Sequence, residues 1–147
     1  MTKKVIKAHE TDSIVFCSQL MRKNNIGFLP ILNKCDEIIG VITDRDIVLN
    51  IISKEKDIYT CVKNALNENI IFCSPNDDIS FAITKMADNQ IKRLIIKEKN
   101  TIKGVLSVSD LLKHKNLSIY ILDLLKEIYN IQSDVVLFKD ISSDQPI

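Results

Sequence analysis

Glycine is scarce in this chain, with three residues in 147. The chain therefore has little material for the glycine-rich loops that hold phosphates in nucleotide-hydrolysing and dinucleotide-binding enzymes, and neither a P-loop nor a GxGxxG pattern is present. The nucleophile-elbow and HExxH patterns are absent as well. Because no pattern supplies an activated nucleophile or a catalytic base, we expect no catalytic residues and a protein that is not an enzyme.

An excess of charge of one sign and a long apolar run are also missing. Twenty Lys and Arg residues face 19 Asp and Glu residues, and the net charge of +1 creates no overall field that would attract nucleic acid or an anionic membrane. No apolar run approaches the roughly 20 residues that span a bilayer. The N-terminal MTKKVIKAHE lacks the apolar stretch of a secretion signal. We expect a soluble cytoplasmic protein with no nucleic-acid or membrane partner.

The chain lacks a CxxC pair. Its four cysteines, Cys17, Cys35, Cys61 and Cys73, are scattered, and only two histidines could join them as metal ligands. This spacing does not favour a zinc site. We interpret the cysteines as small apolar side chains in a reducing compartment and expect no metal.

Two of the three glycines begin the same pattern. GVITDRD at 40–46 and GVLSVSD at 104–110 share the glycine, two aliphatic residues, a hydroxyl residue and the final aspartate. Upstream, Met21 matches Met86 at an offset of 65, which becomes 64 at the glycines. The chain therefore contains two copies of one unit. We place them at residues 1–56 and 57–115, followed by a C-terminal helix and flexible tail at 116–147.

Both copies predict the order strand, helix, strand, strand, helix. KVIKAH and NIIFCS predict the first strands. Apolar residues from Ile14 to Met21 and from Ile79 to Met86 recur at spacings of three and four, which indicates one face of a helix. FLPIL with EIIGVIT, and RLIIK with TIKGVLS, predict a hairpin in each copy. Helical character resumes at 46–53 and 110–115.

This order predicts how the two copies assemble. A three-stranded sheet with helices on one side leaves its other face apolar, so each copy needs the other to cover that face. We predict an α+β fold in which two βαββα units form a pseudo-twofold pair with two clefts along the seam. The stretch SIYILDLLKEIYNIQ predicts a further amphipathic helix, which packs either on its own domain or against a partner.

The repeated motif carries the chemistry that these clefts need. Thr43 and Ser107 are each followed three residues later by an acid, Asp46 or Asp110. This spacing is that of a capping box, which needs no ligand. The same strand-to-helix turn also suits ligand binding, because backbone amides and a hydroxyl favour phosphate while a carboxylate accepts hydrogen bonds from a ribose. The two roles are compatible.

The doubled motif with its matching flanks resembles a tandem pair of CBS domains, the Bateman module, over residues 1 to about 115. The run ITDRDI is particularly similar to small bacterial stand-alone proteins of this kind. The resemblance implies a regulatory protein that binds AMP, ADP, ATP or S-adenosylmethionine between its repeats, modulates a separate partner protein and forms a homodimer. A ligand-free dimeric interaction scaffold is the alternative. No cofactor is required.

The resemblance also implies the ligand-binding residues, by position in the two copies. They are Val5, Ile6, Phe28, Leu29, Pro30, Thr43, Arg45, Asp46, Ile70, Ile71, Arg93, Leu94, Ile95, Ser107, Ser109 and Asp110. We expect two unequal clefts, since Asp44-Arg45 offers a cation for a phosphate where the second copy has Val108-Ser109. Arg45 and Arg93 fit a plain surface role equally well.

Overall fold

The architecture comes from a computed structural model that describes residues 1–113 and 118–129. Each half of the chain has the same order of elements. The first half contains β1 (Ala8–His9), α1 (Ile14–Asn24), β2 (Phe28–Leu32), β3 (Ile38–Thr43) and α2 (Asp44–Asn50). The second contains β4 (Phe72–Cys73), α3 (Ile79–Asp88), β5 (Arg93–Glu98), β6 (Thr101–Ser107) and α4 (Val108–Leu111), and α5 (Ser118–Ile128) follows.

Two three-stranded sheets confirm the predicted α+β fold of two similar units. They have the orders β1-β2-β3 and β4-β5-β6. The first strand of each sheet runs parallel to the second, and the second and third form the predicted antiparallel hairpin. Buried apolar residues form two core clusters: the first spans β1 to α2 and includes Val62 from the connection between the units, and the second spans β4 to α5.

Several element boundaries differ from those predicted. Of KVIKAH and NIIFCS, only two residues each pair in a sheet. α2 already begins at Asp44 and ends at Asn50, with a separate 3₁₀ turn at Ile52–Lys54, and α4 is only four residues long. The first strands are short because the residues before them pair with the other unit, Thr2 with Val105 and Asn67 with Val41.

The segment before each first strand crosses to the other unit. Asn67 and Val41 exchange both backbone hydrogen bonds, at 2.8 and 2.9 Å, and Thr2 and Val105 do the same at 2.9 and 3.0 Å. These crossings explain the repeated glycines, because a Cβ on Gly40 would lie 2.9 Å from the carbonyl oxygen of Asn67. Glycine inside a strand is typical of such a close approach of backbone.

The C-terminal helix packs on its own chain. Ile121 and Leu124 of α5 are buried in the second core cluster, and α5 contacts α3. Leu122 and Tyr129 are exposed. The intramolecular interpretation therefore holds for the face of α5 that the structure describes; the tail from 130 onward lies outside the described residues.

The cysteines divide into two classes. Cys17 and Cys73 are buried, whereas Cys35 and Cys61 are exposed, so the apolar interpretation is wrong for the second pair. Burial raises the pKa of the Cys17 thiol to about 12. Among the described residues, no helix combines the length and apolarity that a membrane crossing needs.

Candidate functional site: two clefts between the repeats

Two clefts lie between the units, and each takes its lining from both. Cleft 1 has a volume of about 460 Å³, and its lining is Phe28, Val41, Thr43, Asp44, Arg45, Asp46, Asn67, Asn69, Ile70, Ile71, Gln90, Ile91, Lys92, Arg93 and Ile95. Cleft 2 has a volume of about 200 Å³, and its lining is Thr2, Lys4, Val5, Ile6, Asn25, Ile26, Phe28, Pro30, Arg93, Val105, Ser107 and Asp110.

The linings of the two clefts are related by the repeat. Asn69, Ile70 and Ile71 of cleft 1 lie 65 residues after Lys4, Val5 and Ile6 of cleft 2. Phe28 and Arg93 are repeat equivalents of each other, and both line both clefts. The clefts are therefore pseudo-twofold copies that share a wall.

In cleft 1, Thr43 and Asp46 form a capping box that uses only one of the two carboxylate oxygens of Asp46. The Thr43 amide and hydroxyl donate to Asp46 Oδ2 at 2.9 and 2.7 Å, and the Asp46 amide donates to Thr43 Oγ1 at 3.1 Å. Among the described residues, Asp46 Oδ1 receives no hydrogen bond and no ion pair. Capping thus uses one carboxylate oxygen and leaves the other for a ligand.

In cleft 2, both oxygens of the equivalent carboxylate are engaged. Asp110 Oδ2 accepts from the Ser107 amide and hydroxyl at 3.1 and 2.7 Å. Its Oδ1 lies 3.3 Å from Lys113 Nζ and 3.6 Å from the amino group of Met1. Burial opposes ionisation of Asp110, but the hydrogen bonds from Ser107 and the two nearby cations outweigh it and lower the pKa of the carboxyl group.

The structure brings most of the predicted site residues to the clefts. Cleft 1 receives Phe28, Thr43, Arg45, Asp46, Ile70, Ile71, Arg93 and Ile95, and cleft 2 receives Val5, Ile6, Pro30, Ser107 and Asp110, with Phe28 and Arg93 shared. The prediction is wrong for Leu29 and Leu94, which are 0% and 1% exposed and lie in the two cores. Side chains alternate along a strand, so their neighbours face the cleft while they face the helices.

Ser109 is also not a cleft residue. It is exposed, and its hydroxyl lies 2.8 Å from that of Ser107 without lining either cleft. Its repeat equivalent Arg45 has a longer side chain and does line cleft 1. The predicted inequality of the clefts is thus present in their linings as well as in their volumes.

Sequence reasoning missed several cleft residues. In cleft 1 these are Val41, Asp44, Asn67, Asn69, Gln90, Ile91 and Lys92, and in cleft 2 Thr2, Lys4, Asn25, Ile26 and Val105. Most lie in the crossing segments or in the turns before β2 and β5. The repeat offset relates five of the seven missed residues of cleft 1 to the five of cleft 2, whereas Asp44 and Lys92 have no counterpart in the lining of cleft 2.

The described residues contain no group of three or more His, Cys, Asp or Glu side chains that could hold a metal ion. The polar groups of both clefts are carboxylates, hydroxyls, amides and cations, which suit a hydroxylated and charged organic ligand. The apolar side chains at positions 28, 70, 71, 91 and 95 of cleft 1 supply surface for a flat ring.

Comparisons with known proteins point in the same direction. A sequence profile described as "CBS domain" matches residues 1–53 and 62–116. The CBS domain-containing protein YhcV of Bacillus subtilis is 30% identical over 111 residues, which are 76% of this chain and 79% of that protein.

Two solved structures have a similar fold. A CBS domain protein of Pyrobaculum aerophilum complexed with AMP superposes with a TM-score of 0.71 at 22% identity, over 82% of this chain and 94% of that one. The CBS domain pair of protein MJ0100, in complex with 5-methylthioadenosine and S-adenosylmethionine, gives a TM-score of 0.69 at 22% identity, over 76% and 92%.

Proposed function

Because this chain belongs to the CBS domain family, with one domain in each repeat, we propose that it is a regulatory module that binds an adenosine-containing ligand in cleft 1. Of the two proteins with the same fold described above, one is in complex with AMP and the other with S-adenosylmethionine and 5-methylthioadenosine. These complexes support the ligand class for this chain and leave the individual ligand to be identified by experiment.

The observation that carries the proposal is the difference between the two carboxylates. Asp46 has an oxygen without a partner among the described residues and lies in a cleft of about 460 Å³. Asp110 has both oxygens engaged and lies in a cleft of about 200 Å³. Cavities for ligands usually span about 300–1,000 Å³. Asp46 therefore accepts hydrogen bonds from the ribose hydroxyls, and Thr43 contributes a hydroxyl beside it. The apolar side chains of Phe28, Ile70 and Ile71 contact the base.

The proposed mechanism of regulation follows from the position of cleft 1. Its lining comes from both repeats, so a bound ligand ties them together and favours one arrangement of the pair. A ligand shifts a conformational equilibrium only by its difference in affinity for the two states. We propose that the favoured arrangement is the one a separate partner protein recognises.

The first experiment is thermal unfolding with AMP, ADP, ATP, S-adenosylmethionine and, as a control base, GTP. A ligand at a hundred times its dissociation constant stabilises the folded state by about 2.7 kcal/mol, which a melting curve resolves. We expect an adenosine ligand to raise the midpoint for the wild type and for Asp110→Asn, and to have no effect on Asp46→Asn. Thr43, the N-cap residue, is unchanged in this variant, and asparagine at position 46 keeps one oxygen that can accept the Thr43 amide while it replaces the other oxygen by an NH2 group. Asp46→Asn therefore separates the capping role from the binding role.

Two results would count against this function. If no adenosine ligand changes the midpoint, the ligand-free scaffold becomes the better description. If the shift persists in Asp46→Asn and disappears in Asp110→Asn, the ligand occupies cleft 2, and the assignment of cleft 1 is wrong.

We also propose a homodimer formed through the helical layer. Val48 and Leu49 of α2 and the following Ile52 are 55%, 46% and 54% exposed, and Phe16 of α1 and Phe81 of α3 are 42% and 48% exposed. Large apolar side chains that stay exposed on three helices are available for contact with a second copy of the chain. Light scattering of the purified chain should give twice the monomer mass, and Leu49→Glu should reduce it; an unchanged monomer mass would contradict this assembly.

A further inference from the structure

Cleft 1 differs from cleft 2 mainly in its charged residues. Nearly every lining position of one cleft has its repeat equivalent in the other, but Arg45, Lys92 and Asp44 line only cleft 1. Their equivalents are Ser109, Gly27 and Val108. Cleft 2 has one cation of its own, Lys4, where cleft 1 has Asn69. The repeat thus provides an internal comparison: three cations and two carboxylates line cleft 1, and two cations and one carboxylate line cleft 2.

The cations of cleft 1 have no acidic partner. Within residues 1–113 and 118–129, no carboxylate oxygen lies within 4.0 Å of the side-chain nitrogens of Arg45, Lys92 or Arg93. Lys92 Nζ instead lies 4.1 Å from the ring centroid of Tyr129, at the end of α5. Three cations that line one concavity without counter-charges form a site for an anion.

The carboxylates of the same cleft form no ion pair with these cations within the described residues. Asp46 Oδ2 is held by Thr43, and Asp44 Oδ1 accepts the backbone amide of Arg45 at 2.8 Å. Three cations against two carboxylates leave the lining with a net positive charge. Within the described residues, Asp44 Oδ2 and Asp46 Oδ1 have no hydrogen-bond or ion-pair partner. S-adenosylmethionine carries a net positive charge and AMP a net negative charge, so a lining with a net positive charge favours AMP.

We propose that cleft 1 selects, among adenosine-containing ligands, those with a phosphate chain, and that Arg45 and Lys92 are the residues that determine this specificity. The inference rests on the proposed function, since it concerns the same cleft. Arg93 contributes to both clefts, so it adds affinity without distinguishing them. Affinity rises from adenosine through AMP to ATP, and S-adenosylmethionine binds more weakly than AMP.

The test is calorimetric titration of the full chain with adenosine, AMP, ATP, S-adenosylmethionine and inorganic tripolyphosphate. The variants are Arg45→Ser, which introduces the side chain of the other repeat, and Lys92→Gln. Hydrogen bonds to charged groups correspond to factors of about ten to a hundred in affinity. We expect each variant to lower the affinity for ATP by about that factor and to leave the affinity for adenosine unchanged.

Two control variants define what the result means. Lys23→Gln removes an exposed cation of α1 that lines neither cleft, and its affinity for ATP should equal that of the wild type. Tyr129→Leu removes the aromatic neighbour of Lys92 and keeps the lysine. If Tyr129→Leu lowers the affinity for ATP as much as Lys92→Gln does, the lysine acts by holding α5 and not by contacting phosphate. The assignment of Lys92 would then be wrong.

The ligand set separates this inference from the proposed function. If adenosine binds as tightly as ATP, or S-adenosylmethionine more tightly than AMP, the specificity is overturned while the nucleoside site stands. If tripolyphosphate binds to the wild type and more weakly to Arg45→Ser, while adenosine does not bind and AMP binds no more tightly than tripolyphosphate, the anion site stands and the adenosine function fails. If none of the five compounds binds, both are overturned.

Discussion

Gly40 offers the sharpest test of the crossing between the repeats. Its φ is not positive, so alanine can adopt the same backbone conformation and any cost comes from packing alone. A Cβ at this position would collide with Leu66 Cδ1 and lie 2.9 Å from the carbonyl oxygen of Asn67. The first neighbour is a side chain that can rotate, but the second is backbone held to Val41 by two hydrogen bonds.

The two contributions to the free energy of unfolding have opposite signs. Overpacking of a well-filled site costs about 1–3 kcal/mol, and replacing glycine by alanine in a permitted conformation recovers about 0.4–1 kcal/mol. We expect Gly40→Ala to destabilise the chain by about 1–2 kcal/mol, which lowers the melting midpoint by about 3–6 °C for a protein of this size.

Gly104→Ala is the matched control. The nearest neighbours of its added Cβ are Met1 Sδ at 2.8 Å, the far end of a flexible side chain, and Thr2 O at 3.0 Å. Thr2 is held by two backbone hydrogen bonds as Asn67 is, but its oxygen lies slightly farther away, and the unbranched Met1 side chain can rotate away from the added Cβ. The cost should therefore be smaller than that of Gly40→Ala. The double variant Gly40→Ala with Leu66→Ala should have a lower melting midpoint than Leu66→Ala alone, because the contact of the added Cβ with Asn67 remains.

The assay is thermal unfolding followed by circular dichroism for all four variants and the wild type. A Gly40→Ala midpoint equal to or above that of the wild type would refute the close crossing. Equal costs at Gly40 and Gly104 would show that the kind of neighbouring side chain, Leu66 or Met1, does not decide the outcome.

Two further predictions address α5 and cleft 2. Leu124→Ala should destabilise the chain by about 2–5 kcal/mol in urea unfolding, because the Leu124 side chain is 2% exposed. Leu122 is 56% exposed, so Leu122→Ala should change the stability by less than about 0.5 kcal/mol. Equal effects of the two substitutions would contradict the docking of α5. The folded-state pKa of Asp110 is lowered from 3.8, so its ionisation stabilises the fold above that value, and this stability is lost as the pH falls through the folded pKa. Melting midpoints measured from about pH 5 downward should therefore fall less steeply for Asp110→Asn than for the wild type; parallel curves would show that this carboxylate does not contribute.

The hairpins and the first helix of each unit were predictable because their signals are local. FLPIL and TIKGVLS give strands β2 and β6 with the predicted bounds, and α1 and α3 follow the apolar spacing. The repeat itself needed only self-comparison. These features depend on residues close together in the chain, where sequence patterns are informative.

The cleft residues were only partly predictable because they depend on contacts between the repeats. Leu29 was assigned to the site with its neighbours Phe28 and Pro30, although alternation along β2 turns it into the core. Lys92 was missed because it lies in the turn before β5, outside the repeated motif, and only the packing of the two units brings it into cleft 1.

The wall shared by the clefts makes them thermodynamically reciprocal. Phe28 and Arg93 line both, so an occupant that repositions either side chain in one cleft alters the affinity of the other. Linkage then requires that the effect be equal in both directions: whatever factor a ligand in cleft 1 imposes on cleft 2, a ligand in cleft 2 imposes on cleft 1. Titrations of this chain are therefore to be fitted with one coupling constant joining the two sites, and not as two independent dissociation constants.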